Sequence, residues 1–342
     1  MKLLFEDYCR VDRTIYFIAK NVNLLCAMDL NSGEINPISS IPGRDIYAYQ
    51  MGGKIIAIDD RLYCFPMANN RIWIFDLINK TWEPLEIDDK GIKELFFVQA
   101  IEFKENIYVI GCHPDMIKIN LRDDSVEYIK DLYCDELNKQ GSVRSDYVII
   151  EDVLYMADVK SNRVLKYNLK NDDYTWIYIG NKNNCYSGIA YDGSFFYLSP
   201  RNDTNIVRWD GKNEVTEVEL PDFYKGKEFS FLGAVDIGKN VMFPGHKIKK
   251  TIIMEKSDLS LVMLDENFTF YKKISDEKYF FQNYEGELKL IDHENTILFK
   301  VCEIPDCKFY AEVAKHHKYQ DYFQELHIET NRVDFQLYLA LV

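Results

Sequence analysis

Residues 54–87 read KIIAIDDRLYCFPMANNRIWIFDLINKTWEPLEI. Apolar side chains recur at period two through Ile55 and Ala57, and again through Leu62 and Cys64. Asp59-Asp60-Arg61 and Asn69-Asn70 interrupt that alternation as turns do. A β-rich run, Ile72-Trp73-Ile74-Phe75, ends at Asp76-Leu77; Asn79-Lys80 form another polar turn, and Thr81-Trp82-Glu83-Pro84-Leu85 makes a fourth short strand. Four short strands joined by three turns are a β-meander. Alone it would expose an apolar face and two edges, so it needs neighbours of its own kind.

The neighbours are in the sequence. An apolar-Tyr pair, or a substitute for it, recurs at Ile15-Tyr16, Leu62-Tyr63, Ile107-Tyr108, Leu154-Tyr155, Phe196-Tyr197, Val241-Met242 and Leu288-Lys289. The spacings are 47, 45, 47, 42, 45 and 47 residues, and a polar turn precedes each pair. A second anchor ends the third strand: Met28-Asp29-Leu30, Phe75-Asp76-Leu77, Ile119-Asn120-Leu121, Tyr167-Asn168-Leu169 and Trp209-Asp210-Gly211, with Leu264-Asp265-Glu266 and Phe299-Lys300-Val301 as weaker copies. From Tyr16 to Asp29 is 13 residues, and the same gap recurs at Tyr63–Asp76, Tyr155–Asn168 and Tyr197–Asp210. Seven units of this period predict an all-β, seven-bladed β-propeller of four-stranded antiparallel blades. The expected blades lie near 2–39, 54–87, 95–130, 146–179, 187–220, 231–274 and 278–310, so the propeller spans 1–310. Six blades are the alternative, because blade seven is the least regular and its fourth strand is either 307–313 or absent. Blade six breaks register: Met242 to Asp265 is 23 residues, which places an insertion in 244–258. Residues 2–6 begin blade one or pair with the last blade to close the ring. From about Tyr310 the apolar spacing turns helical, which predicts a C-terminal helical extension over 311–342, packed on the propeller or docking another chain.

The pattern resembles the kelch-type propeller repeat, most clearly at 72–85, where an aromatic-Asp-Leu precedes Thr-Trp-Glu-Pro-Leu. The Gly-Gly pair expected after the second strand is absent; Gly111-Cys112 and Pro244-Gly245 come nearest. The resemblance implies a protein- or peptide-binding scaffold rather than an enzyme.

Composition fits and bounds this reading. Tyr and Phe number 24 and 21 of 342 residues, as pleated, stacked sheets favour. A net charge of −14 disfavours nucleic acid as a partner. The N-terminus lacks a secretory pattern and no apolar run is long enough for a bilayer, so the expectation is a cytoplasmic protein without membrane contact. The eight cysteines form no C-x-x-C pair and read as free thiols. No P-loop, G-x-S-x-G or H-E-x-x-H motif is present, and no metal or other cofactor is implied.

In a four-stranded antiparallel blade, the first and third turns fall on one face of the disc. The second loops and the connections between blades fall on the other. The latter, here the connection face, carries the longer and more varied segments, and function favours such loops. Its candidate ligand-binding residues are Arg44, Tyr47, His113, Arg144, Tyr186, Arg201 and His246, among other loop residues such as Lys160 and His293. This mixed basic and aromatic set suits a protein or peptide partner, or a small anionic or carbohydrate ligand. The alternative function is that of a propeller lyase or hydrolase acting on a small or carbohydrate substrate at the central opening.

Overall fold

The computed structural model describes residues 3–19, 23–29, 32–43, 52–66, 71–88, 97–111, 115–129, 132, 146–201, 204–227, 231–246, 248–275, 278–284, 287–292 and 296–301. Among the described residues, twenty-eight strands form seven four-stranded antiparallel sheets, each from consecutive strands, at 5–39, 52–85, 97–129, 148–178, 186–218, 235–264 and 268–301. The expected 311–342 extension lies outside the described residues.

Seven apolar cores hold the ring together, one between each pair of adjacent blades. Blades one and two share Ile18, Leu25, Ile55, Trp73 and Phe75, and corresponding sets follow around the ring. The seventh joins Phe5, Tyr8 and Phe17 of blade one to Phe270, Phe280 and Leu288 of blade seven. Closure therefore comes from side chains. The inner strand of blade one, Phe5–Val11, pairs with Thr14–Ala19, and all four strands of blade seven come from one stretch. Gln282 bridges the seam: its Nε2 donates to the Leu3 carbonyl (2.9 Å), and its Oε1 accepts from the Phe5 N–H (3.0 Å).

The two sequence anchors have separate physical causes. The second-strand tyrosine ties blades together: Tyr63 donates its hydroxyl to Asp124 of blade three (2.7 Å), and Tyr108 donates to the Leu169 carbonyl of blade four (3.0 Å). The third-strand Asp or Asn organises the turn after it. Asp76 Oδ1 accepts from the N–H groups of Ile78 and Asn79, both at 2.8 Å. Asn120, Asn168 and Asp210 accept likewise from Arg122, Lys170 and Lys212. Such side chains mimic a turn's own backbone bond.

Two register expectations are corrected here. In blade six the third strand is Thr251–Glu255, and Asn240 pairs with Glu255 as Arg61 pairs with Asp76. Leu259 N–H bonds to the Glu255 carbonyl, and Leu259 sits at φ 62°; Lys80 relates to Asp76 in the same way at φ 57°. Met242 to Glu255 is again 13 residues, so blade six holds no insertion. The Leu264-Asp265 pair had imitated the anchor, whereas Glu255-Lys256 disguised it. In blade seven the inner strand is Phe268–Ser275 and the second is Lys278–Asn283. Leu288-Lys289 lies in the third strand, and 299–301 in the fourth, Thr296–Val301. Blade seven thus begins at Phe268 rather than near 278, and the ring has seven blades rather than six.

Candidate functional site at the axis

An inner strand has no fifth neighbour, so its edge faces the axis with unpaired backbone groups. In blades one, two, three, five and seven a register shift falls near the start of that strand. Such shifts re-aim side chains. Two residues before the one that faces the second-strand anchor, the seven blades carry Asp7, Lys54, Gln99, Asp146, Gly188, Gly233 and Phe270. These positions lie toward the connection face, where the inner strands begin.

Three of these side chains cap edge N–H groups. Asp7 accepts from Tyr8 (2.9 Å) and from Ile55 of the next blade (3.3 Å). Gln99 accepts from Ala100 at 2.9 Å. Asp146 reaches further: its Oδ2 accepts from Ala234 N–H of blade six (2.9 Å), and its Oδ1 accepts the hydroxyl of Tyr271 in blade seven. The two glycines make that reach possible. A Cβ on Gly188 or Gly233 would collide with the Asp146 carboxylate. One side chain from blade four therefore links blades five, six and seven across the centre.

The electrostatics follow from this enclosure. Asp146 keeps part of its surface open but is ringed by protein, and desolvation pushes its carboxyl up to about 7. The Tyr271 hydroxyl, the Ala234 N–H and the charge of Lys54 pull the other way without winning. At the seam of blades seven and one, Lys272 Nζ lies 2.6 Å from Asp7 Oδ1 and also donates to the Tyr8 carbonyl. Tyr147 leaves 40 % of its surface open, yet desolvation and the charges of Asp7 and Glu102 push its hydroxyl up to about 12. A carboxyl that titrates near neutrality, touching a phenol and within the field of Lys54, is chemically equipped to give and take a proton. Among the described residues no group of three or more His, Cys, Asp or Glu could hold a metal ion.

Of the residues expected from the sequence, Arg44, Tyr47, His113 and Arg144 lie outside the described residues. Tyr186 is buried between blades four and five and donates its hydroxyl to the Ile179 carbonyl at 2.6 Å. Desolvation raises that hydroxyl further. Tyr186 is thus part of the packing and does not present itself to the connection face. Arg201 follows the second strand of blade five; its Nη1 lies 3.4 Å from the Val159 carbonyl in the matching loop of blade four. His246 sits between blades six and seven, with Nδ1 3.0 Å from the Tyr284 hydroxyl and 3.4 Å from the Phe268 carbonyl. The structure brings His246 to Tyr284 and the Arg201 backbone N–H to the Cys185 carbonyl (3.1 Å), and does not gather Tyr186, Arg201 and His246, the described members of the predicted set, into one constellation. Asp146, Tyr271, Lys272 and Asp7 were not anticipated, because attention to variable loops passed over the inner strands.

No protein-family model matches the chain, and no curated protein does. Solved structures match its fold. A catalytically inactive form of virginiamycin B lyase from Staphylococcus aureus, with quinupristin, aligns at TM-score 0.61 and 12 % identity over 82 % of this chain and 92 % of that one. A streptogramin B lyase aligns at TM-score 0.59 and 9 % identity over 86 % and 92 %. The computationally designed Ika8 protein aligns at TM-score 0.59 and 8 % identity over 89 % and 90 %. At such identities the likeness establishes the β-propeller fold alone.

Proposed function

We propose that this propeller binds a small polar ligand at the connection-face mouth of its axis and acts on it as a lyase or hydrolase. Asp146 would move the proton, and Tyr271 would hold the Asp146 carboxyl in place. One observation carries the reading: an enclosed carboxyl, brought across the centre by two glycines, hydrogen-bonded to a phenol, and titrating near 7. Two of the fold neighbours are lyases, which favours the same class without fixing the substrate. The scaffold reading implied by the kelch resemblance remains the second reading. Tyr147 and Tyr284, exposed by 40 % and 42 %, give it contact surface on this face.

The test is a mass-spectrometric turnover screen of wild type, Asp146→Asn and Tyr271→Phe against quinupristin and a set of uronate oligosaccharides. The expected result is conversion by wild type and loss of about a hundredfold or more in Asp146→Asn. Conversion at the wild-type rate by Asp146→Asn would overturn the assignment. Absence of any conversion, together with a protein partner retained by wild type and lost on Arg201→Glu, would favour the scaffold.

A further inference from the structure

Each blade has a second free edge, on its outer strand at the rim of the disc. Natural sheets blunt such edges with proline or charge. Five of the described outer strands do so: Ile35–Ser39 and Trp82–Leu85 hold Pro37 and Pro84, and Val126–Ile129, Val215–Val218 and Thr296–Val301 hold Glu127, Glu217 and Lys300. Tyr174–Tyr178 holds neither but carries Thr175 and two tyrosines. Blade six is different. Its outer strand, Leu261–Leu264, reads Leu-Val-Met-Leu, apolar at every position. Val262, Met263 and Leu264 are exposed by 58 %, 41 % and 40 %.

That edge also offers backbone. The Ser260 carbonyl accepts from the Glu255 N–H (3.0 Å), and the register continues from Met254–Leu261 to Thr251–Leu264. Antiparallel pairing alternates, so Ser260, Val262 and Leu264 turn their backbone groups inward, and Leu261 and Met263 turn theirs outward. Successive side chains point to opposite faces, which puts Val262 and Leu264 on one face and Met263 on the other. The occupant that fits is an extended segment, apolar on both sides and uncharged in its middle. This chain contains one. Residues 333–342 read VDFQLYLALV. The helical spacing that ends at Leu326 gives way there to period two, through Val333, Phe335, Leu337, Leu339 and Leu341. Tyr338, Ala340 and Val342 make the other side apolar as well; Asp334 is the sole charge, and neither Pro nor Gly interrupts.

We infer that residues 333–342 lie along Leu261–Leu264 as a fifth strand of blade six. Leu261 and Met263 would exchange backbone hydrogen bonds with that segment, and Val262, Met263 and Leu264 would pass from water to its apolar side chains. The connection allows it. The last described residue, Val301, ends the outer strand of blade seven, which packs directly on blade six. The 31 residues of 302–332 span up to about 100 Å when extended, so reach sets no limit. A second copy of the chain fits this edge less well. Pairing Leu261–Leu264 with itself engages four residues of each copy, against roughly 20–30 a side in a stable interface, and brings together two chains of charge −14. The inference is independent of the axial reading, since this edge lies at the rim.

The test is fragment-resolved hydrogen–deuterium exchange on the full chain at about 1 and about 50 µM, for wild type, the double variant Leu337→Pro/Leu339→Pro, and Val262→Lys. In wild type the Leu261 and Met263 amides are expected to be protected equally at both concentrations. The double proline variant should speed their exchange at least about tenfold, because proline cannot continue the ladder. Val262→Lys, a change at an exposed side chain, should speed exchange across 337–341, which reads the same contact from the other side and keeps the test valid if the proline variant is not recovered. Rapid exchange of Leu261 and Met263 in wild type would overturn the inference. So would protection that survives the prolines, or exchange across 337–341 that ignores Val262→Lys. Protection that appears only at the higher concentration would assign the edge to a second copy and overturn the intramolecular strand.

Discussion

Replacing Asp146 by Asn should change how stability depends on pH, and the structure sets both sign and size. The folded carboxyl titrates near 7, against an ordinary value of 3.8. Between those limits the folded chain holds a proton that the unfolded chain has released. Stability from this group is therefore complete below about pH 4 and is lost as pH rises toward 7, at about 1.4 kcal/mol per pH unit. Over some three units the full loss is about 4 kcal/mol, and the partial solvent access of Asp146 trims it to roughly 2–4 kcal/mol. Urea unfolding of wild type and Asp146→Asn, measured in half-unit steps from pH 4 to 8, gives a difference curve in which other titrating groups cancel. Wild type should lose stability relative to the variant across that window, and the curve should flatten above about 7. Tyr271 donates to the ionised form, so Tyr271→Phe should move the flattening to higher pH. Parallel curves for wild type and Asp146→Asn would refute the reasoning.

Three further outcomes follow from the packing. Gly233→Ala drives a methyl group into Asp146 and Tyr271 and should cost about 1–3 kcal/mol by urea unfolding; Asp146→Gly should recover part of that, a non-additivity absent if the two sites are independent. Arg163 Nη2 lies 2.8 Å from Asp158 Oδ2, with side chains only 3 % and 0 % exposed, so Asp158→Ala should lower stability by about 3–5 kcal/mol. A loss below about 1 kcal/mol would show the pair to be dispensable. Tyr63→Phe removes a hydroxyl shared with Asp124 and Arg61 and should cost about 1–2 kcal/mol, whereas Tyr16→Phe, with no described hydroxyl partner, should stay within about 0.5 kcal/mol.

The architecture was readable because its two anchors are local necessities. The second-strand tyrosine packs into the core shared with the next blade, and the third-strand Asp or Asn closes its own turn. Where a blade meets those needs otherwise, reading failed. Leu259 takes the left-handed turn position after a Glu instead of an Asp, and Lys278–Asn283 supplies Phe280 where blades one to five have tyrosine. The site was hidden for a different reason. Asp7, Lys54, Gln99, Asp146, Gly188 and Gly233 each stand nine residues before their blade's second-strand anchor, a regularity present in the sequence. One polar residue per strand looks like ordinary alternation, and two glycines look like turns. Their meaning appears only when the ring closes and places those positions around one axis. Distances between blades four, six and seven are set by closure, and no local pattern encodes them.

The central claim is that Asp146 is an enclosed axial carboxyl held by Tyr271 and Ala234. Its own titration, followed by the carboxyl-carbon NMR shift of selectively labelled protein, tests that claim directly. The account predicts a midpoint near 7 that climbs in Tyr271→Phe. A midpoint near 4 in both proteins, the behaviour of a solvated carboxylate, would contradict it.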